Sequence, residues 1–331
     1  MKSANLYFHS PCFDGIVSAV VISDFFRARR GTDEIALHGV NYHLRHEWLT
    51  TPLKEQSIVV DFLYHPDAEF WADHHPTTFL TSQMQKHFER RSHEMHVFDA
   101  SAKSCASLLS HHLRSVLDYY NHRYSELIWW ADKTDSADYD SPQEAIFGDA
   151  PALQIAHSLG TRSDESYCRE LVGLLSKKTP NEVAAIPSIR KQYDLSVHQT
   201  LKGLKRFEEI DEQYGPRIRL SEDQIAIFDV DGRGVQINRY APFYFFPKAR
   251  YSIGIVRLEE SAKITAMRNP WMQFSSVPLG TVFEEVGGGG HERVGSVLLP
   301  RDKVHGAVDL RHAIVERIRN VEHKPHGARG P

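Results

Sequence analysis

Apolar positions in the first hundred residues fall into short runs separated by stretches with helical spacing. The run Asn5–Phe8 predicts a short buried strand. Ile16, Val20, Val21 and Phe25 recur at intervals of one to four, placing a helix over Gly15–Arg27 with Arg27, Arg29 and Arg30 toward its end. Ile35–Tyr42, Ser57–Phe62, Glu69–Ala72 and Met95–Phe98 predict further strands. Ser57–Phe62 is almost unbroken in apolar character, as expected of a parallel strand covered on both faces. A helix through Ala106, Leu108, Leu109 and Leu113 follows. Strands alternating with helices predict an α/β fold whose first lobe is an open, mostly parallel sheet with helices on both faces.

Residues 119–185 read as helical, most clearly at Glu126–Ala131, Gln143–Ile146 and Cys168–Leu175, with prolines interrupting. Asn181 to about Glu212 reads as one long helix of mixed charge. After Pro216 strands return at Ile225–Asp229, Tyr251–Arg257 and Lys263–Arg268, with a turn at Asp231-Gly232. The run Gly287–Gly290 and a closing helix over Ala307–Val321 complete the pattern. The expected organisation is a first domain over 1–180, a linker helix over 181–215, a smaller C-terminal α/β domain over 216–323 and a polar tail over 324–331.

A chain of 331 residues, 41% hydrophobic and 25% charged, has room for two cores and is not a disordered composition. Its net charge of −4 gives no global attraction for nucleic acid or anionic membranes. A polyanion must then be held by a local patch or by bound cations. The three cysteines, Cys12, Cys105 and Cys168, are odd in number and far apart, so no disulfide framework is predicted and a cytoplasmic location fits. The apolar run Ile16–Ile22 is too short to span a bilayer, and no membrane partner is expected.

Chemistry enters where the strands end. His9 and Asp14 follow the first strand, Asp61 ends the Ser57–Phe62 run, and Asp73, His74 and His75 close the fourth. In open parallel sheets ligands bind beyond the carboxyl ends of the strands, so adjacent strands would bring these residues to one rim. Carboxylates suit hard divalent cations, and imidazole suits Mn²⁺ better than Mg²⁺. Two such ions clamp a phosphoryl group and activate water.

The spacing His9-Ser10-Pro11-Cys12-Phe13-Asp14-Gly15, then Asp61, then Asp73-His74-His75, then Gly287–Gly290 with His291, resembles the DHH phosphoesterases with their C-terminal glycine-histidine domain. That group includes RecJ-like exonucleases, oligoribonucleases, cyclic-dinucleotide phosphodiesterases and exopolyphosphatases. The likeness covers nearly the whole chain, in the family's order. It implies two lobes, with a Mn²⁺ site on the first and a substrate clamp on the second. His9 and Asp61 would hold one ion; Asp14, Asp61, His74 and a later aspartate would hold the other, with Asp61 bridging. The later aspartate is Asp132 or Asp135. Asp73 would orient a neighbouring imidazole, His75 would face the phosphate, and Arg268 with Gly288, Gly289, Gly290 and His291 would bind substrate.

One departure stands out. The family opening H-x-D-x-D-G has a carboxylate where this chain carries Cys12, with one extra residue after His9. A thiolate there would favour Zn²⁺ or Fe²⁺ over Mg²⁺; as a buried small residue, Cys12 would instead leave that ion weakly held. One or two ions therefore stay open. Ser104, Cys105 and Ala106 read as packing residues, and Tyr240–Phe246 as core or interface rather than a base-stacking surface.

The expected function is a metal-dependent phosphoesterase. It would hydrolyse phosphodiester or phosphoanhydride bonds of a small anionic substrate with cation-activated water, using Asp61, His74 and His75. A short oligonucleotide, another short single-stranded nucleic acid, a cyclic dinucleotide and polyphosphate all fit. The alternative is a catalytically impaired nucleotide-, polyphosphate- or RNA-binding protein of the same fold. A homodimer is left open.

Overall fold

The structure, a computed structural model, describes residues 2–213 and 215–322. The chain divides into two compact units. One comprises residues up to 139 together with 149–196; the other comprises 140–148 and the residues from 197 onward. Both are α/β, as the alternation of elements predicts.

The first unit begins β1 (Lys2–His9), α1 (Phe13–Arg30), β2 (Thr32–Val40), β3 (Ser57–Val60) and β4 (Phe70–Asp73). It continues through α2 (Ser82–Phe88), β5 (His96–Phe98), α3 (Cys105–Val116) and α4 (Ser125–Asp135). The five strands form one parallel sheet in the order β2-β1-β3-β4-β5. Successive side chains on a strand point to opposite faces, and the core divides accordingly. Leu6, Phe8, Ile58, Val60, Phe70 and Ala72 pack on one side with α1 and α3. Tyr7, Val59 and Trp71 pack on the other with Trp48, Phe62, Tyr64 and Phe88. Helix α1 is buried almost all round, which explains its apolar run Ile16–Ile22. It stops at Gly31, whose left-handed backbone (φ 62°) lets its N–H donate to the carbonyl of Phe26.

Next come α5 (Pro142–Phe147), α6 (Pro151–Ser158), α7 (Glu165–Leu175), α8 (Pro180–Ala184) and α9 (Pro187–Glu208). The single helix expected over 181–212 is thus two. Pro187 opens a new helix, because proline lacks the N–H that would continue the preceding turn. Beyond Glu208 the chain forms a small antiparallel pair, β6 (Ile210–Asp211) with β7 (Gly215–Pro216).

The remainder runs β8 (Ile218–Leu220), β9 (Ile225–Asp231), α10 (Ala241–Phe245), β10 (Tyr251–Arg257) and β11 (Ser261–Arg268). It ends with α11 (Leu279–Glu284), β12 (Gly289–His291), β13 (Val294–Pro300) and α12 (Ala307–Glu322). Strands β8–β13 make a six-stranded mixed sheet in the order β12-β13-β11-β10-β9-β8. Ile225, Ile227, Ile253 and Ile264 of this sheet share a core with Leu279 and Phe283 of α11 and Ile314 and Ile318 of α12. Tyr240, Ala241 and Phe243 are buried, in keeping with a core reading of that aromatic stretch. Among the described residues, no helix is long and apolar enough to cross a membrane. The predicted tail over 324–331 lies outside the described residues.

Candidate functional site

Three parallel strands deliver their polar ends to one rim of the first sheet. His9 is the last residue of β1, Asp61 follows β3, and Asp73 ends β4. Asp61 leaves its strand with a left-handed backbone, φ 56°, a conformation that is uncommon outside glycine. Gly15 lets α1 approach: a side-chain carbon there would lie 2.1 Å from the carbonyl oxygen of His9 and 3.1 Å from Asp61 Oδ2. Only a residue without a side chain permits that closeness.

Asp14, in the first turn of α1, is held by backbone. Its Oδ2 accepts from the Cys105 N–H at 2.7 Å and its Oδ1 from the Ala106 N–H at 2.9 Å. These are the opening amides of α3, where an anion is favoured. Asp73 Oδ1 accepts from the His74 N–H at 2.8 Å and from His75 Nδ1 at 2.8 Å, which fixes the turn through the histidine pair. His74 Nδ1 lies 3.1 Å from the carbonyl of Ala102. With a proton on that nitrogen, the ring turns Nε2 toward three carboxylates: Asp135 Oδ2 at 3.3 Å, Asp14 Oδ2 at 3.7 Å and Asp61 Oδ1 at 3.8 Å. On the other side of Asp61, Oδ2 lies 3.4 Å from His9 Nδ1.

These groups form three clusters whose potential ligand atoms lie within 4.8 Å of one another: His9, Cys12 and Asp61; Asp14, His74 and Asp135; and Asp61, Asp73, His74 and His75. Asp135, rather than Asp132, is the aspartate of α4 that joins them. Asp132 instead accepts a hydrogen bond from Ser104 Oγ at 2.6 Å. Both oxygens of Asp61, His9 Nδ1 and His74 Nε2 are buried without a well-formed hydrogen bond. Buried polar atoms are rarely left in that state without a missing partner. A set of imidazole nitrogens, carboxylate oxygens and one thiol, all turned inward, fits a divalent cation.

Electrostatics agree. Burial, then the nearby charges of Asp14 and Asp73, push the Asp61 carboxyl well above the usual carboxylate range. Burial, with Asp135 nearby, raises Asp14 to about 6. Burial works against a charged His74, yet Asp135 and Asp14 outweigh it and lift the ring to about 9. His9 is lowered to about 4, mainly by burial and then by His75. Carboxylates crowded together out of water call for positive charge between them.

Two contributions escaped the sequence reading. The amides of Cys105 and Ala106 hold Asp14, where their side chains suggested packing alone. Tyr42 sets its ring 5.1 Å from the His9 imidazole and 5.3 Å from Phe62. Backbone donors carry no residue-type signal, and Tyr42 looked like the end of a strand.

The remaining candidates lie in the second unit. Arg268 ends β11, where its guanidinium donates to the carbonyls of Asn269 at 3.1 Å and Phe274 at 3.0 Å and lies over the Phe274 ring. Burial and the neighbouring Arg293 lower its pKa. The glycine run is a turn leading into edge strand β12, not a loop: Gly289, Gly290 and His291 pair with Ser296, Gly295 and Val294 of β13. Added side-chain carbons at Gly288 and Gly290 would fall 2.4 Å from Ser296 O and 2.1 Å from Val294 O. The Gly287 and Gly288 amides already donate to Glu284 and Phe283 carbonyls. Close strand pairing therefore accounts for these glycines before any ligand is considered.

No protein-family model and no curated protein match the sequence. Solved structures do. A pGpG-specific phosphodiesterase, PggH from Vibrio cholerae, superposes with a TM-score of 0.70 at 17% identity, covering 96% of this chain and 99% of its own. An exopolyphosphatase-related protein from Bacteroides fragilis gives 0.53 at 11% identity, over 97% and 93% of the two chains. RecJ in complex with Mn²⁺ from Thermus thermophilus gives 0.58 at 12% identity, over 96% of this chain and 52% of RecJ. The chain shares the fold of these proteins. At these identities the likeness carries the architecture alone, and the chemistry rests on the side chains above.

Proposed function

We propose that this chain is a metal-dependent phosphoesterase, hydrolysing phosphodiester or phosphoanhydride bonds of a small anionic substrate. The observation that carries this reading is the buried Asp61 carboxylate, one oxygen toward His9 and the other toward His74, neither well hydrogen-bonded. At least one divalent ion held there, which we assign as Mn²⁺ with Mg²⁺, Zn²⁺ or Fe²⁺ as alternatives, would lower the pKa of water and offset charge on phosphoryl oxygens. The two ligand groups are His9, Cys12 and Asp61 on one side and Asp14, His74 and Asp135 on the other; Asp61 Oδ1, 3.8 Å from His74 Nε2, supports a bridging role for Asp61 between them.

The chain's own residues supply orientation. Ala102 turns the His74 ring, and the α3 amides hold Asp14 as an anion. With its Nδ1 proton held by Asp73, His75 is steered as a donor to a phosphoryl oxygen. Its pKa is raised because Asp73 outweighs the opposing effect of burial. Substrate phosphate contacts are assigned to Arg268, beside the positive charge of Arg293, and to Gly288, Gly289, Gly290 and His291. We place the protein in the cytoplasm. Among the candidate substrates we favour dinucleotides and polyphosphate, a choice supported by the likeness to a pGpG-specific enzyme and to an exopolyphosphatase-related protein.

The test is a cation-by-substrate matrix on the full chain. It pairs Mn²⁺, Mg²⁺ and Zn²⁺ with linear and cyclic dinucleotides, short RNA and polyphosphate, alongside a chelated control. Hydrolysis that needs a cation and falls by at least about 10³-fold in Asp61→Asn supports the proposal. Binding without turnover in every cation would identify a binding protein of the same fold instead.

A further inference from the structure

We propose that the two cation positions in the first unit are chemically unlike. The one built from Cys12, His9 and Asp61 is a sulfur-containing site that selects Zn²⁺ or Fe²⁺, while the one built from Asp14, His74 and Asp135 takes a harder ion such as Mn²⁺. This rests on the metal-dependent reading above and deepens it.

The geometry separates the two sets. Cys12 Sγ belongs to a group of ligand atoms with His9 and Asp61, all within 4.8 Å of one another. Asp14, His74 and Asp135 form a second group without sulfur. Asp61 divides its oxygens between them, Oδ2 lying 3.4 Å from His9 Nδ1 and Oδ1 lying 3.8 Å from His74 Nε2. Cys12 does not stand alone as an indication of a site. Asp61 is 0% exposed with both oxygens lacking a well-formed hydrogen bond, and His9 Nδ1 lacks one too.

The other two thiols are occupied elsewhere or outside these groups. Cys105 Sγ donates to the Ala72 carbonyl at 3.3 Å, and Cys168 is buried in the core beneath α1. Cys12 is the N-cap of the 18-residue helix α1 and makes no side-chain capping hydrogen bond; burial and the neighbouring Asp61, Asp135 and Asp14 carboxylates push its thiol up, so the sulfur loses its proton only when an ion binds. On coordination the thiol proton passes to buffer and the sulfur binds as thiolate. Thiolate with imidazole favours zinc or iron over magnesium and manganese; two carboxylates with one imidazole reverse that preference.

The experiment strips the full-length protein of metals and titrates it with Co²⁺. Expected is near-ultraviolet thiolate-to-cobalt charge-transfer absorption, retained in Cys168→Ala and absent in Cys12→Ser. Zn²⁺ affinity of the same position should fall by about 100-fold or more in Cys12→Ser. Cys12→Asp should bring the two positions closer in preference, with more Mn²⁺ retained under Zn²⁺ competition. A wild-type protein without the absorption, or absorption that survives Cys12→Ser, overturns the proposal. Should Cys12→Ser fail to fold, the wild-type spectrum and the Cys12→Asp competition still decide it. None of these readouts needs turnover. Absence of hydrolysis in every cation would sink the enzymatic reading and leave the sulfur site to the spectrum.

Discussion

Two arginine-paired aspartates of the second unit and the buried aspartates at the rim of the first sheet live under opposite rules. In the second unit, Asp223 meets the Arg319 guanidinium and Asp231 meets Arg233, each at the surface. Hydrogen bonds from those arginines hold both carboxyls down to about 2. In the first unit, Asp14, Asp61 and Asp73 are at most 1% exposed and stand among histidines, and burial drives Asp14 and Asp61 upward. Pairing with arginine satisfies a carboxylate at once and leaves little for a ligand to gain. A carboxylate crowded by its own kind remains energetically incomplete, and that incompleteness is what a divalent ion exploits.

The widest gap should come from α4. Asp135→Ala is expected to weaken Mn²⁺ binding by about 10–100-fold, while Asp132→Ala, which removes only the partner of Ser104, should change it by less than about threefold. Calorimetric titration of the stripped protein measures both. Equal losses would mean the two aspartates are not distinguished as the geometry indicates.

Backbone closeness gives the next contrast. Gly15→Ala should destabilise the first unit by about 1–3 kcal/mol, because the added carbon meets the His9 carbonyl. Gly254→Ala, in β10, puts its carbon 2.3 Å from the ring of Phe228, which is itself 4% exposed, so the obstacle is a packed side chain rather than backbone. It should cost less. Urea unfolding of each variant, followed through tryptophans Trp71 and Trp271 in the respective units, would reverse the argument if Gly254→Ala proved the worse.

Acid and base should act in opposite directions on the arginine-paired aspartates and on the rim cluster. Asp223 and Asp231 have depressed values, so their stabilisation is present above about pH 4 and lost as pH falls through about 2. Asp14 and His74 have raised values. In chelator their stabilisation is present at low pH and lost as pH rises, through about 6 for Asp14 and about 9 for His74. Adding Mn²⁺ should oppose that loss, since binding requires deprotonated ligands. Thermal melts across pH, with and without chelator, test this; a cluster equally stable at pH 5 and 9 without cations would contradict it. The smallest effect expected is Asp223→Asn, about 0.2–1 kcal/mol by the same unfolding measurement, because a half-exposed ion pair is screened by solvent.

Much of this was legible before any coordinates. The five strands of the first sheet announced themselves as apolar runs, and His9, Asp61 and Asp73 as polar residues where those runs stopped, whereas β8, β12 and β13 of the second sheet went unread. The choice between Asp132 and Asp135 was not legible. Three positions apart on α4, both suit the composition, and only the burial of Leu127 and Ala131 sets how that helix is turned. The break at Pro187 was missed because charge and apolar spacing continue across it. The strand character of the glycine run was not legible because glycine carries no alternation; it comes from β13, a partner that local pattern cannot supply. The hold on Asp14 was hidden because peptide groups do it.

Asp61 adopts φ 56°, outside the range most side chains tolerate. Asparagine visits that region more readily than alanine does. Asn is also close in shape to the native carboxylate, whereas alanine at this position would remove a ligand and burden the main chain together. A decoy intended to trap an intact substrate for soaking or mass spectrometry is therefore better made with the amide.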